Sequence, residues 1–354
     1  MITRSVNRVQ TVASDQGGEH RGDWRRQLAG AIRDPEVLCE ALGLDAAWLP
    51  GAQAGHRLFK IRVPHAYLAR MRRGDPFDPL LRQVLPIDRE TDAVEGFVSD
   101  PLEEAEHRPL PGLIHKYANR VLLIVSGACA VNCRYCFRRH FPYADNTPSR
   151  REWEAVLDYL RSRPEINEVI LSGGDPLASS DERLGWLVER LGGIPHLQRL
   201  RIHTRLPVVI PDRVDPGLLG WLAASRLQKV VVLHVNHANE IDPAVRSACA
   251  RLREAGATLL NQSVLLRGVN DHVDTLAELS ETLFAAGVLP YYLHVLDPVA
   301  GAAHFDVPDG EAVELVERLR ARLAGFLMPR LVREVPGERS KTPLPERSAQ
   351  PGSS

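Results

Sequence analysis

From Arg120 onward, short apolar runs rich in β-branched residues alternate with helical stretches, and this alternation restricts the chain to a parallel α/β architecture. The runs are Val121 to Val125, Val169 to Leu171, Leu200 to His203, Val230 to His234, Leu259 to Val264 and Tyr291 to Leu296. The helical stretches lie near Arg151 to Arg161, Asp181 to Leu191, Pro216 to Ala224, Pro243 to Ala255, Val273 to Ala286 and Gly310 to Leu323. A repeat of roughly 30 residues is the size of one βα unit. Six such units predict a partial (β/α)6 barrel of the TIM type. Barrels of this kind carry their chemistry at the C-terminal ends of the strands. Here those ends hold Cys129, Gly173-Gly174-Asp175, Thr204-Arg205, Asn236-His237, Gln262 and Asp297.

The flanks read differently. Residues 1–22 and 345–354 lack periodicity and predict disordered ends. Residues 23–115 predict a helical extension followed by a wrapping connector. Asp23 caps a helix with Trp24, Leu28, Ala31 and Ile32 on one face, and Pro35 opens a second with Val37, Leu38, Ala41 and Leu42. Turn formers then crowd RRGDPFDP, VSDPL and HRPLPGL. The barrel is expected over 116–330, and a short strand and Pro/Gly turn with Lys341 over 331–344. A net charge of -1 gives no electrostatic reason for a nucleic-acid or membrane partner. No apolar run approaches the roughly 20 residues of a membrane span. A cytoplasmic protein acting on a small molecule is expected.

Three of the five cysteines, Cys129, Cys133 and Cys136, fall within eight positions as CAVNCRYC. That grouping suits a metal site in a reducing compartment rather than a disulfide frame. Cys39 and Cys249 are isolated and read as buried apolar residues. Structural zinc would want a fourth ligand, for which His140 is the candidate; an iron-sulfur cluster held by three thiolates leaves one iron open. Lysine usage adds a second signal, because only Lys60, Lys116, Lys229 and Lys341 of the 44 basic residues are lysine. A lysine amine can condense with an aldehyde, which a guanidinium cannot do.

The CxxxCxxC loop after an apolar strand resembles the signature of the radical S-adenosylmethionine family. That resemblance implies a 4Fe-4S cluster on the three cysteines, with S-adenosylmethionine on the open iron. Gly173, Gly174 and Asp175 of ILSGGDPL match the family's glycine-rich segment for the methionine amino group. Together with the FRR that follows the loop, PGERSKTPL resembles the lysine 2,3-aminomutase family within that class. The likeness runs from about Leu58 to Leu344 through DPLLRQVLP, PGLIHKYANRVL, NHANEI and NQSVLLRGVND.

This second resemblance implies interchange of an amino group between C2 and C3 of lysine, with pyridoxal 5′-phosphate on Lys341. Lys116 and Arg120 match positions that meet its phosphate. Arg138 matches the residue for the substrate carboxylate, and Asp297 and Glu334 match the two acids for the distal ammonium. Glu334 departs from the usual Asp, keeping the charge on a longer arm. Gln262, with His234, Asn236 and His237, is expected to line the S-adenosylmethionine pocket.

The helical preface, the short tail and Glu334 resemble the branch that makes (R)-β-lysine for elongation factor P, in partnership with a lysyl-tRNA-synthetase-like ligase. A reductant such as flavodoxin is implied. His272 after RGVND departs from the cysteine-rich zinc site that joins subunits in some aminomutases. Two other readings stay open: an aminomutase of free lysine, glutamate or arginine, and a non-catalytic iron-sulfur or zinc protein.

Overall fold

The computed structural model describes residues 23–143 and 148–344; the two expected disordered ends lie outside the described residues. Among the described residues nine strands form one sheet in chain order. They are β1 (Leu113–Tyr117), β2 (Arg120–Ser126), β3 (Glu168–Gly173), β4 (Arg199–Thr204), β5 (Gln228–Leu233), β6 (Ala257–Val264), β7 (Leu289–His294), β8 (Arg330–Arg333) and β9 (Thr342–Pro343). Strands β2 to β8 run parallel, while β1 and β9 add antiparallel edges. All six expected βα units are present, β8 extends the parallel run, and the sheet is a partial TIM-type barrel.

Local chemistry starts the helices where the sequence indicates. Asp23 accepts from the backbone N–H of Arg25 and Arg26 at the start of Trp24–Ala29, and Asp34 caps Pro35–Leu42. Ser149 and Glu152 form a reciprocal capping box on Arg150–Arg161. Asp215 and Asp242, each followed by Pro, cap Pro216–Ala224 and Pro243–Glu254.

Strand β4 alternates buried Leu200, Ile202 and Thr204 with partly exposed Arg199, Arg201 and His203, so one face packs under helices and the other stays polar. Glu168 of β3 accepts from both arginines.

The expected boundary near residue 115 falls inside β1, which no turn-former pattern anticipated. One hydrophobic cluster joins Trp24, Leu38, Tyr67 and Leu80 of the extension to Val121, Leu123 and Val169 of the barrel. The extension therefore closes the side of the barrel. The open edges approach where Tyr117 of β1 donates to Glu334, just after β8, at 2.7 Å. No described helix is long and apolar enough to cross a membrane.

Candidate active site

The cysteine loop leaves β2 and is braced by residues remote in sequence. Buried Glu90 of the extension accepts from Arg134 Nε at 2.8 Å and Arg139 Nη2 at 2.7 Å. Arg134 also donates to the Phe59 carbonyl at 2.7 Å, and its own N–H donates to the Gln83 carbonyl at 2.9 Å. A charge pair this deeply buried is costly unless fully bonded, and every carboxylate oxygen here has a cationic partner.

Gly173 and Gly174 end β3 against this loop. A Cβ on Gly173, whose φ is +127°, would lie 2.3 Å from the Ser126 carbonyl; one on Gly174 would lie 2.6 Å from the Ala128 carbonyl and 2.9 Å from Cys129 Sγ. Only glycine permits that approach.

Asp175, expected beside a ligand, has its carboxylate engaged within the protein. Its oxygens accept from Thr204 Oγ1, Leu177 N, Arg205 N and Leu206 N at 2.7 to 3.0 Å. It ties the end of β3 to the end of β4 and has no acceptor capacity to spare.

Arg205, which the sequence offered only as a strand-end residue, donates to Cys133 Sγ and Tyr135 Oη at 2.8 Å each, and to Glu240 at 2.8 Å. Asn236, expected to line a pocket, donates to Tyr135 Oη and Gln83 within this same buried network. His237 caps a turn by accepting from Asn239 N. His140 Nε2 lies 3.3 Å from the Ala300 carbonyl, and it is not gathered with the cysteines into a ligand set among the described residues.

The three thiols are free and partly exposed, and Cys129 and Cys136 border a cavity of about 780 Å³ with Lys60, Arg62 and Tyr143. Among the described residues no three Cys, His, Asp or Glu side chains are already gathered as a metal-ligand set. Burial, and then the charges of Cys136 and Cys133, push the Cys129 thiol well above its ordinary value; burial and Cys133 push Cys136 up to about 12. A cationic centre is what would hold three thiolates together in this loop, and thiolate donors suit iron.

A second cluster lies in the barrel. Lys341 Nζ donates to Glu334 at 2.6 Å and lies 5.7 Å from the centroid of the Tyr292 ring. Burial opposes ionisation of Glu334, but Lys341 and Tyr117 more than offset it and hold the carboxyl below its usual value. Asp297 bears the opposite shift. Burial, with the Glu334 and Glu104 charges, outweighs the attraction of Lys341 and pushes it up to about 7.

Arg138 is buried and makes a two-pronged pair with Glu104, at 2.7 Å on each prong, while Nη1 donates to Ser172 Oγ at 3.1 Å. The sequence reading of Arg138 did not foresee Glu104. Lys116 donates to the Leu102 carbonyl at 2.7 Å, and Arg120 stacks 4.0 Å from the centroid of the Tyr117 ring.

His234 Nε2 meets Gln262 Nε2 at 3.0 Å, and the His203 and His234 rings stand 5.9 Å apart. Burial first, then nearby cations, keeps His203, His234 and His294 neutral, with His234 lowered to about 3; Lys341 contributes to all three. His203 Nε2 and His294 Nε2 are buried without a hydrogen-bond partner. Orphaned polar atoms of this kind mark a place for a ligand or ordered water. Neither histidine had a motif around it.

With this geometry in hand, comparison with known proteins decides the family. The radical SAM superfamily pattern matches residues 123–279, which contain the cysteine loop and the Gly173-Gly174 turn. The L-lysine 2,3-aminomutase of Escherichia coli K12 is 54% identical over 92% of this chain and 95% of its own length. The chain belongs to the lysine 2,3-aminomutase family. The Haemophilus influenzae member is 49% identical over 90% of the chain and 95% of its length, and that of Clostridium subterminale 36% over 96% and 82%. As a radical SAM member of this family the chain is an isomerase working with a 4Fe-4S cluster and S-adenosylmethionine.

Proposed function

We propose that the chain is a pyridoxal-phosphate-dependent L-lysine 2,3-aminomutase whose (R)-β-lysine is destined for elongation factor P. The observation that carries the substrate assignment is the acidic pair around the Lys341 amine. Glu334 is bonded to that amine, and Asp297 senses both charges. Two acids near one reactive lysine favour a substrate with a cationic tail and repel glutamate. The relatives' names point to the same substrate.

The residues also suit the cofactors. Lys341 is the amine for the aldehyde, with the Tyr292 ring nearby and the unpartnered nitrogens of His203 and His294 in the same barrel. Cys129, Cys133 and Cys136 are the cluster ligands, and the tight Gly173-Gly174 turn leaves room beside them. When bound, the cluster with S-adenosylmethionine supplies hydrogen abstraction from C3, and pyridoxal phosphate supplies a conjugated carrier for the migrating nitrogen.

This chain's own groups do the positioning. Arg138 receives the substrate carboxylate through its guanidinium fork. Asp297 and Glu334 hold the distal ammonium, and Tyr117 steadies Glu334 by donating to it. Lys116 and Arg120 are the cations assigned to the phosphate, and Gln262 with His234 borders S-adenosylmethionine. Gly173, Gly174 and Asp175 form the segment assigned to its methionine amino group, and the Asp175 carboxylate fixes that segment against β4.

The assignment to elongation factor P rests on the helical extension, the PGERSKTPL segment and the variant Glu334. A lysyl-tRNA-synthetase-like ligase would then consume the product, an electron donor such as flavodoxin would reduce the cluster, and the free thiols suit the cytoplasm.

Reduced, cofactor-loaded protein should convert lysine, and neither glutamate nor arginine, to its β-isomer by mass spectrometry. Conversion of glutamate alone would overturn the substrate assignment. Deleting the gene should leave elongation factor P without its β-lysyl mass increment; an unchanged mass would favour metabolism of free lysine instead.

A further inference from the structure

We propose that Glu104 is the positioning residue for Arg138, and that the strap carrying it sets the span between the two ends of the substrate site. The inference rests on the substrate roles given above to Arg138 and Asp297.

A guanidinium has two edges that can each meet a carboxylate with parallel hydrogen bonds. Glu104 occupies the Nε–Nη2 edge of Arg138 at 2.7 Å on both prongs. The Nη1–Nη2 edge keeps donors for a second carboxylate, with Ser172 Oγ fixing the roll of the plane from Nη1 at 3.1 Å. Arg138 and Glu104 are 8% and 5% exposed. A buried arginine without Glu104 would carry an unpaired charge and could turn toward other acceptors.

Glu104 is aimed inward by an unusual turn. Glu103 is the one non-glycine residue with positive φ, 49°, among the described residues. Such conformations persist where surrounding contacts over-determine them. Here Asp100 accepts from Glu104 N at 3.3 Å, and the Leu102 carbonyl accepts from Lys116 Nζ at 2.7 Å.

The same strap is tied to the other end of the site. Val98 N donates to the Pro298 carbonyl, and Ala300 N donates to the Val98 carbonyl, each at 2.9 Å. Those bonds grip the loop that begins at Asp297. Residues 98–104 thus link the arginine assigned to the carboxylate with the acid assigned to the distal ammonium.

The test uses the full chain loaded with cluster, S-adenosylmethionine and pyridoxal phosphate, as wild type, E104Q and E104D. KM and kcat are measured for L-lysine, and calorimetry gives Kd for L-lysine and for L-lysinamide, which lacks the carboxylate. E104Q should raise KM and Kd for lysine roughly tenfold or more, the loss of one charge-assisted contact. Its kcat should stay within about twofold, and its Kd for lysinamide should not move. E104D keeps the buried charge, so it folds even where E104Q does not, and should change lysine binding in the same direction by less.

Tighter lysine binding by the variants would mean that Glu104 competes for Arg138, and equal weakening for lysine and lysinamide would mean a general structural role; either overturns the inference. Inactivity of the wild type on lysine overturns the substrate assignment, whereas an active wild type with unaltered variants overturns the Glu104 inference alone.

Discussion

Replacing Asp297 with Asn tests the electrostatics of the site through a pH dependence whose sign is fixed in advance. Burial dominates the Asp297 environment, and the carboxyl is pushed up to about 7. It is then about one tenth ionised at pH 6, half near pH 7 and nine tenths at pH 8, whereas the ε-ammonium of lysine, of pKa about 10.4, stays charged throughout. If the ionised carboxylate grips that ammonium, the contact is worth roughly 1.5 to 3 kcal/mol, or about tenfold to a hundredfold in binding, once fully formed.

The advantage of wild type over D297N in kcat/KM for lysine should therefore grow from pH 6 to about pH 8 and then level off. The α-amine must also lose a proton, but that slope is common to both proteins and cancels in their ratio. A ratio that stays flat with pH, or a D297N enzyme with unaltered KM at pH 8, would refute the reasoning. Stability should move the other way. The folded value lies above the unfolded one, so the empty protein binds the proton more tightly than the unfolded chain and loses stability as pH rises from about 4 through about 7. Thermal melts of empty D297N should escape that loss.

Removing the charge of Glu90 leaves Arg134 and Arg139 buried beneath the cysteine loop. E90Q should lose on the order of 3 kcal/mol in denaturant unfolding, with iron retention falling alongside, and an unchanged midpoint would contradict the brace. Gly174→Ala puts a methyl group 2.6 Å from the Ala128 carbonyl; reconstitution should recover less than half of the wild-type visible iron-sulfur absorption. Arg205→Met removes the donor to Cys133 Sγ while roughly preserving length, and should shift the cluster reduction potential. K341A should abolish the pyridoxal absorption band, and a surviving band would put the attachment on another lysine.

The sequence alone determined the repeating architecture and the inventory of reactive groups. Alternation between extended and helical periods is a local property, and it located all six βα units because each strand and helix buries its own apolar residues. The cysteine spacing and the isolated Lys341 were equally legible, since chemistry that only thiolates or an amine can perform leaves a mark on residue type.

What the sequence did not reveal are the partners of those groups. Glu90 stands 44 residues from Arg134, Glu104 stands 34 from Arg138, and Tyr117 stands 217 from Glu334. The sequence placed Asp175 in a glycine-rich turn but gave no sign that its carboxylate ties that turn to the end of β4. His203 and His294 are ordinary strand residues until the sheet curls and turns their ring nitrogens inward without partners. Burial, ion pairing and the displaced acidity of Asp297 depend on which charges closure of the barrel brings together, and tertiary structure alone decides that.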